Sequence, residues 1–207
     1  MSAQDIPQLY IITPDQFELS QLQSDMTKLL DAADIACVRL SMASHDEDEI
    51  CRAADAMRDI CHARDVPIVI DGHFMLVERL GLDGVHLPRG ARNIRKLRDE
   101  LGADAIIGAA CGDSRHDGMN AAEAGADYVS FGPLSASSLG DGTVADLDLF
   151  SWWSDMIELP VVAEGGLTLD QMAPLAQVTD FIALGAEIWD AADPVAQLQS
   201  FIRAMQG

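Results

Sequence analysis

Charged and polar side chains stand in or just after several short apolar runs of this sequence. Arg39 lies in the run IACVRLS, and Glu164 ends the run PVVAE. Asp71 ends the run PIVID, and His73 stands two residues after it. His86 lies inside the run GVHL. Carboxylates and imidazoles are the groups that most often transfer protons in enzymes. The candidate catalytic residues are therefore Asp71, Glu164, His86 and His73.

Each of these residues also has a structural interpretation, and the residues alone leave both open. Asp71 is either a metal ligand or base, or a cap for the helix that follows its strand. His86 is either an acid or base, or a packed core histidine that donates to a neighbouring carbonyl. Glu164 is either a general acid or base with a raised pKa, or the partner of Arg39 in a salt bridge. In an apolar setting, the charged Arg39 needs an anionic partner. That partner is either a phosphate or carboxylate of a ligand, or the side chain of Asp71 or Glu164.

Two glycine-containing turns could bind a phosphate. The segment PVVAEGGLT (Pro160–Thr168) ends its apolar run at a glycine pair, and FIALGA (Phe181–Ala186) ends on a single glycine. Glycine lets backbone N–H groups approach an anion with no Cβ in the way, and a helix start favours negative charge. In (β/α)8 barrels the loops after the last two strands commonly form the phosphate site. The predicted phosphate-binding residues here are Gly165, Gly166, Gly185 and Ala186, with an anion on the N–H groups of Gly166 and Gly185–Ala186.

An alternation of apolar runs and helical segments must position these residues. Strands are predicted at Gln8–Thr13, Ile35–Ser41, Pro67–Asp71, Asp83–Leu87, Ala105–Ala109, Ala126–Gly132, around Val161–Val162, and at Phe181–Ala186. Helical spacing is found at Phe17–Ala33, Asp46–Arg64, Phe74–Leu80, Asn93–Leu101, up to Glu123, at Leu147–Met156, after Thr168, and at Pro194–Met205. Eight strands alternating with helices, with no linker between them, favour an α/β fold, a closed (β/α)8 TIM barrel, over an open doubly wound sheet. We expect one domain over residues 1–207.

Composition excludes several classes of partner. The chain has 34 acidic and 13 basic residues, a formal net charge of −21. Nucleic acids and anionic membrane surfaces attract basic proteins, so we expect neither as a partner. The four cysteines show no paired zinc spacing, and the sequence has neither a signal-peptide pattern nor an apolar run of membrane-spanning length. We expect a cytoplasmic protein with reduced thiols, and leave open whether it forms a homo-oligomer.

Four segments carry a family resemblance. They are GLDGVHL (Gly81–Leu87), LGADAIIGAA (Leu101–Ala110), AGADYVSFGP (Ala124–Pro133) and PVVAEGGLT. In order and spacing they resemble the thiamine phosphate synthase and thiazole tautomerase family of barrels, and Phe131-Gly132-Pro133 resembles its synthase branch. The resemblance implies a transferase of thiamine biosynthesis, which joins a hydroxymethylpyrimidine pyrophosphate to a thiazole phosphate. It also implies Mg²⁺ on the pyrophosphate, where a large developing charge must be neutralised.

The sequence departs from that family at the positions that meet this charge. Gly72 and Ala91 stand where the family has magnesium-binding aspartates, and Ala43 and the loop with Ser137 and Ser138 stand where it has lysines. We therefore assign no metal ligand and no certain cofactor, although the family implies Mg²⁺. The candidate phosphate-binding side chains are Arg39, Arg89, Ser137 and Ser138.

The expected function is a thiamine phosphate synthase-like barrel that binds a small phosphorylated metabolite, with little of the family's own activity. The alternatives are a catalytically silent member that binds a ligand or a partner protein, and an acid–base enzyme acting on another small phosphorylated substrate.

Overall fold

The computed structural model describes residues 6–90, 92–135 and 144–207. Eight parallel strands pair in the order β1 to β8, and β8 pairs with β1, so the sheet closes into a barrel. The strands are β1 Gln8–Ile12, β2 Ile35–Leu40, β3 Ile68–Asp71, β4 Gly84–Leu87, β5 Ile106–Ala110, β6 Tyr128–Phe131, β7 Val161–Glu164 and β8 Phe181–Leu184. The predicted (β/α)8 TIM barrel is confirmed.

Helices follow the strands on the outside of the barrel. They are α1 Leu19–Ala32, α2 Glu47–His62, α3 Met75–Leu80, α4 Ile94–Leu101, α5 Arg115–Ala124, α6 Leu147–Met156, α7 Leu169–Leu175, α8 Ala186–Trp189 and α9 Pro194–Gln206. The predicted bounds agree to within a few residues. The sequence did not predict α8 as a helix, because four residues are too few to show helical periodicity. Of the predicted loop 133–144, residues 136–143 lie outside the described part of the chain.

Short polar side chains mark where several helices begin. Asp46, Ser114, Asp146 and Asp193 each accept a hydrogen bond from the backbone N–H three residues later. Such N-caps satisfy donors that the helix itself leaves free, and each contributes about 1 kcal/mol. The caps fix where α2, α5, α6 and α9 start. Those of α2, α5 and α6 thereby also fix the lengths of the loops after β2, β5 and β6.

A repeated aspartate stabilises the opposite end of the barrel. Asp83, Asp127 and Asp180 precede β4, β6 and β8, and each accepts a hydrogen bond from a backbone N–H of the preceding strand, at 2.7–2.8 Å. These bonds tie β3 to β4, β5 to β6 and β7 to β8 at their amino ends. That end of a (β/α)8 barrel contributes stability, while chemistry belongs to the other end.

The apolar core has two layers. The larger layer lies between the strands and the surrounding helices, and the smaller one fills the barrel itself. The inner layer contains Tyr10, Cys37, Val69, Tyr128, Val162 and Ala183. Gly108 makes room for one of these side chains, because a Cβ at that position would lie 2.0 Å from Cζ of Tyr128.

No described helix is both long enough and apolar enough to cross a membrane. The four cysteines, Cys37, Cys51, Cys61 and Cys111, are unpaired thiols.

Candidate functional site

Three charged side chains from different strands meet at the carboxyl end of the barrel. Nη1 of Arg39 on β2 lies 2.8 Å from Oε2 of Glu164 on β7, and its Nε lies 3.8 Å from Oδ2 of Asp71 on β3. Oε1 of Glu164 accepts a hydrogen bond from the Ser130 hydroxyl at 3.1 Å. We call Arg39, Asp71 and Glu164 the mouth cluster. The ion pairs weighed for Arg39 in the sequence are therefore present.

Burial and mutual contact set the protonation of this cluster. Burial alone would lower the pKa of Arg39, but Glu164 and the neighbouring Tyr10 and Asp71 outweigh it and raise that pKa. Burial raises the pKa of the Asp71 carboxyl, and Arg39 offsets only part of this effect. The guanidinium is thus permanently charged, while Asp71 takes up a proton more readily than an ordinary carboxylate.

Three polar atoms of the mouth cluster are buried without a hydrogen bond. They are Nε of Arg39, Oδ1 of Asp71 and Oε2 of Glu164, the last of which touches Arg39 only as an ion pair. A buried polar atom without a partner costs about 1–3 kcal/mol, so native structures rarely leave several together. One unused donor on Arg39 and one unused acceptor on Asp71 therefore lie together where the strands end, beside an oxygen of Glu164 that is held only by an ion pair.

A network of aromatic groups lies inside the barrel next to the cluster. The hydroxyls of Tyr10 and Tyr128 are 2.8 Å apart, and the Tyr128 hydroxyl is 2.9 Å from Nδ1 of His86. Cζ of Arg39 lies 5.9 Å from the centre of the Tyr10 ring. Burial, and then the charge of Arg39, lower the pKa of His86 well below its ordinary value, so the imidazole is neutral near pH 7. The sequence analysis missed both tyrosines, because each reads as an ordinary apolar strand position.

The glycine turns after β7 and β8 form a corner of the mouth, where a cavity of about 500 Å³ opens. Gly165 and Gly166 have φ of 82° and 69°, in the left-handed region that glycine favours. The N–H of Gly185 donates to Oε2 of Glu187 at 2.8 Å, and the N–H of Leu167 donates to Oε1 of Glu187 at 3.1 Å. A carboxylate of the chain thus occupies part of the predicted phosphate site. The sequence analysis missed Glu187, whose only signal is an acid two residues after Gly185.

The remaining candidates lie elsewhere around the mouth. Arg89 is exposed and, with Arg92, lines a cavity of about 740 Å³ next to β5 and α5. Cys111 lines the same cavity, and burial raises the pKa of its thiol to about 12, so it is not an activated nucleophile. His73 is exposed and lines a third cavity of about 350 Å³. Ser137 and Ser138 lie outside the described residues.

The described residues do not by themselves form a ready-made site for a metal ion. Within residues 6–90, 92–135 and 144–207, no three His, Cys, Asp or Glu side chains are grouped to hold one. The carboxylates of Asp71 and Glu164 do come close, but both contact the cationic Arg39, which opposes a second cation. We therefore derive no chemical step through Mg²⁺.

Fold and site together define a (β/α)8 barrel with charged residues gathered at the carboxyl ends of its strands. A family model described as thiamine monophosphate synthase matches residues 9–188. The thiamine-phosphate synthase of Rhodospirillum centenum is 39% identical over 202 residues, covering 96% of this chain and 98% of that protein. That of Erythrobacter litoralis is 36% identical over 208 residues, covering 97% of both. The chain belongs to the thiamine monophosphate synthase family, as its sequence motifs indicated.

Solved structures support the fold independently. Thiamine phosphate pyrophosphorylase from Pyrococcus furiosus superimposes with a TM-score of 0.83 at 22% identity, covering 96% of this chain and 95% of that one. A 3-hexulose-6-phosphate synthase superimposes with a TM-score of 0.68 at 15% identity. At these identities the likeness concerns the barrel alone, since one barrel serves many chemistries.

Proposed function

We propose that this chain binds a small phosphorylated ligand of thiamine-related metabolism at the carboxyl ends of its strands. The mouth cluster holds the ring of that ligand. The observation that carries the proposal is the group of three buried atoms without hydrogen bonds, on Arg39, Asp71 and Glu164. An aminopyrimidine offers ring nitrogens to accept from Arg39 and an amino group to donate to the carboxylates. A ligand of this kind would give these three atoms the hydrogen bonds that they lack.

The phosphorylated end of the ligand lies toward Arg89 and Arg92 in this proposal. Both line the cavity beside β5, and guanidinium groups bind phosphate oxygens in a planar, two-pronged geometry. Asp71 then serves as the proton-accepting or proton-donating group. Its raised pKa lies closer to neutral pH than that of an ordinary aspartate, which suits a group that exchanges protons. His86 positions the ring pocket through Tyr128 rather than touching the ligand.

We further propose that the metal-dependent synthase reaction is weak in this chain. Gly72, Ala91 and Ala43 stand at positions where the family resemblance implies charged side chains. Loss of one preorganised contact to a developing charge commonly lowers a rate by about 10²–10³. Several such losses leave little turnover, although they do not add simply.

Calorimetric titration with hydroxymethylpyrimidine pyrophosphate and with thiazole phosphate tests the binding proposal. We expect the wild-type chain to bind at least the pyrimidine compound. The variant Glu164→Gln keeps the shape of the side chain but removes its charge, and should weaken that binding about 10- to 100-fold, the usual effect of losing a charged hydrogen bond. The control is Glu158→Gln, which makes the same change at an exposed carboxylate. Glu158 precedes the amino end of β7, whereas Glu164 lies at its carboxyl end.

Two outcomes would contradict the proposal. One is a wild-type chain that binds neither compound, and the other is equal binding by Glu164→Gln and the wild type. A turnover assay with both compounds and Mg²⁺ tests the weak reaction separately. Turnover comparable to that of an ordinary family enzyme would refute that part alone. Binding without turnover, in turn, would favour the silent, ligand-binding member.

A further inference from the structure

Ser130 on β6 places a buried hydroxyl beside the mouth cluster. The residue is only 1% exposed, and its hydroxyl donates to Oε1 of Glu164 at 3.1 Å. Ser130 stands two residues after Tyr128 on the same strand, so both side chains face the inside of the barrel. The hydrogen bond therefore ties the cluster to a strand that contributes no charge to it.

The two oxygens of Glu164 have different partners. Oε1 accepts from Ser130 on β6, whereas Oε2 lies 2.8 Å from Nη1 of Arg39 on β2. A glutamate side chain is long and flexible, but two contacts at separate oxygens fix the plane of its carboxylate. Glu164 therefore presents Oε2 to Arg39, while Oε1 is held toward β6.

This arrangement keeps Glu164 and Arg39 from their most favourable mutual geometry. Guanidinium and carboxylate groups prefer a two-pronged contact, in which both oxygens accept from the guanidinium. Without the Ser130 hydroxyl, the carboxylate would be free to rotate into that contact and would turn the guanidinium with it. Nε of Arg39 is now a buried donor without a hydrogen bond, next to Asp71. Its present orientation thus depends on Ser130.

We propose that Ser130 is a positioning residue of the mouth cluster. Its hydroxyl holds Glu164 so that Arg39 keeps its Nε free for a ligand instead of closing a two-pronged ion pair. Ser130 does not touch the ligand and acts only through Glu164. The orientation of Arg39 rests on the contacts just described, whereas the meeting of its Nε with the ring of a ligand rests on the proposed function.

Arginine side-chain NMR of the ligand-free protein tests the orientation of Arg39. Slow rotation about the Cζ–Nε bond gives a held guanidinium separate ¹⁵N resonances for its two Nη groups. The Nε and Nη resonances of Arg39, assigned by their loss in Arg39→Lys, should shift in Ser130→Ala. The matched control is Ser200→Ala, which removes a hydroxyl that donates to the carbonyl of Ala196 on the outer helix α9 at 3.0 Å. It should leave these resonances unchanged.

Calorimetric titration with hydroxymethylpyrimidine pyrophosphate tests the effect on the ligand. Ser130→Ala should weaken binding about 3- to 10-fold, the usual effect of losing a neutral hydrogen bond, and Ser200→Ala should not. In the Glu164→Gln background the same change at Ser130 should have a smaller effect, because Ser130 acts through the Glu164 carboxylate. A merely structural role of Ser130 would not produce this coupling.

Three results would overturn the proposal. They are unchanged Arg39 resonances in Ser130→Ala, equal binding by Ser130→Ala and the wild type, and equal effects of Ser130→Ala with and without Glu164→Gln. A wild-type chain that binds neither thiamine precursor would refute the proposed function. The Arg39 resonances need no ligand, so they would still decide whether Ser130 orients the guanidinium.

Discussion

At the scale of single residues, the mouth cluster holds Arg39 and Glu164 where little water reaches them. Only about 9% of the Arg39 side chain and 17% of the Glu164 side chain are exposed. Ion pairs buried to this degree add little net stability, because removing both charges from water costs about as much as their attraction returns. Breaking such a pair is costly, since it leaves one charge buried alone. A cluster that is expensive to keep and unsatisfied at three atoms is better explained by a ligand than by stability.

Replacing Arg39 alone should therefore destabilise the protein strongly. Arg39→Met leaves Glu164 and Asp71 without their cation, and we expect a loss of about 3–5 kcal/mol in the free energy of unfolding. The double variant Arg39→Met, Glu164→Met should recover part of this loss, because an apolar pair of similar volume replaces the Arg39–Glu164 ion pair while Asp71 stays without its cation. Urea unfolding followed by circular dichroism measures both. A single variant within about 1 kcal/mol of the wild type would show that the pair is not buried in this way.

His86 should make stability depend on pH below neutrality. Its pKa in the folded protein is far below the value of about 6.5 in the unfolded chain, so only the unfolded chain takes up a proton there. The stabilising effect of the neutral imidazole is thus complete above about pH 6.5 and declines as the pH falls. We expect this residue to contribute a slope of about 1.4 kcal/mol per pH unit below pH 6.

The variant His86→Gln checks this slope. The substitution also alters packing at every pH, so the quantity to compare is the change in unfolding free energy between pH 7.5 and 5.5. That change should be smaller in His86→Gln than in the wild type. Identical changes in the two proteins would mean that His86 takes up its proton equally in the folded and unfolded chains, so that folding does not lower its pKa.

At the scale of the elements, β5 and β6 are matched to each other through Gly108. A side chain at this position of β5 would run into the Tyr128 ring of β6, with a Cβ 2.0 Å from Cζ. Tyr128 in turn links Tyr10 and His86, because its hydroxyl is hydrogen-bonded to both. One small residue therefore allows a polar aromatic network to fill the inside of the barrel.

Gly108→Ala should disturb that network. The added methyl group forces Tyr128 to move, and overpacking of a dense core commonly costs about 1–3 kcal/mol. Tyr128→Leu removes the ring, so Gly108→Ala should cost less in that background than in the wild type. Unfolding free energies of the two single variants and the double variant measure the coupling. Strictly additive losses would indicate that Gly108 and Tyr128 do not meet.

At the scale of the whole molecule, the net charge of −21 spreads repulsion over the surface. Salt screens exposed charges, and the screening length falls from about 30 Å at 0.01 M to about 10 Å at 0.1 M. The melting temperature should therefore rise with NaCl between about 0.01 and 0.3 M, by about 2–4 °C for each kcal/mol of repulsion removed. KCl should act alike. A melting temperature that falls with salt would mean that surface ion pairs outweigh the repulsion.

The sequence by itself determined the architecture and the family. Apolar runs of strand length alternating with helical spacing left room for few folds, because each element must bury one face against the next layer. The motifs in β4, β5, β6 and β7 indicated the family, and the polar strand ends indicated which face bears chemistry. The short α8 escaped prediction because a four-residue helix carries no periodic signal.

Only the tertiary structure decided which partner each polar side chain has. Arg39 could have bound a ligand or a carboxylate, and closure of the barrel placed Asp71 and Glu164 beside it. Tyr10 and Tyr128 are 118 residues apart in sequence, and Leu167 is 20 residues from Glu187, yet both pairs are hydrogen-bonded. Hydrogen bonds and buried charge interactions act over a few ångströms, whereas local sequence patterns report only which face of an element is buried. The glycine turns could thus be recognised in the sequence, while their occupation by Glu187 follows from the distance between two loops.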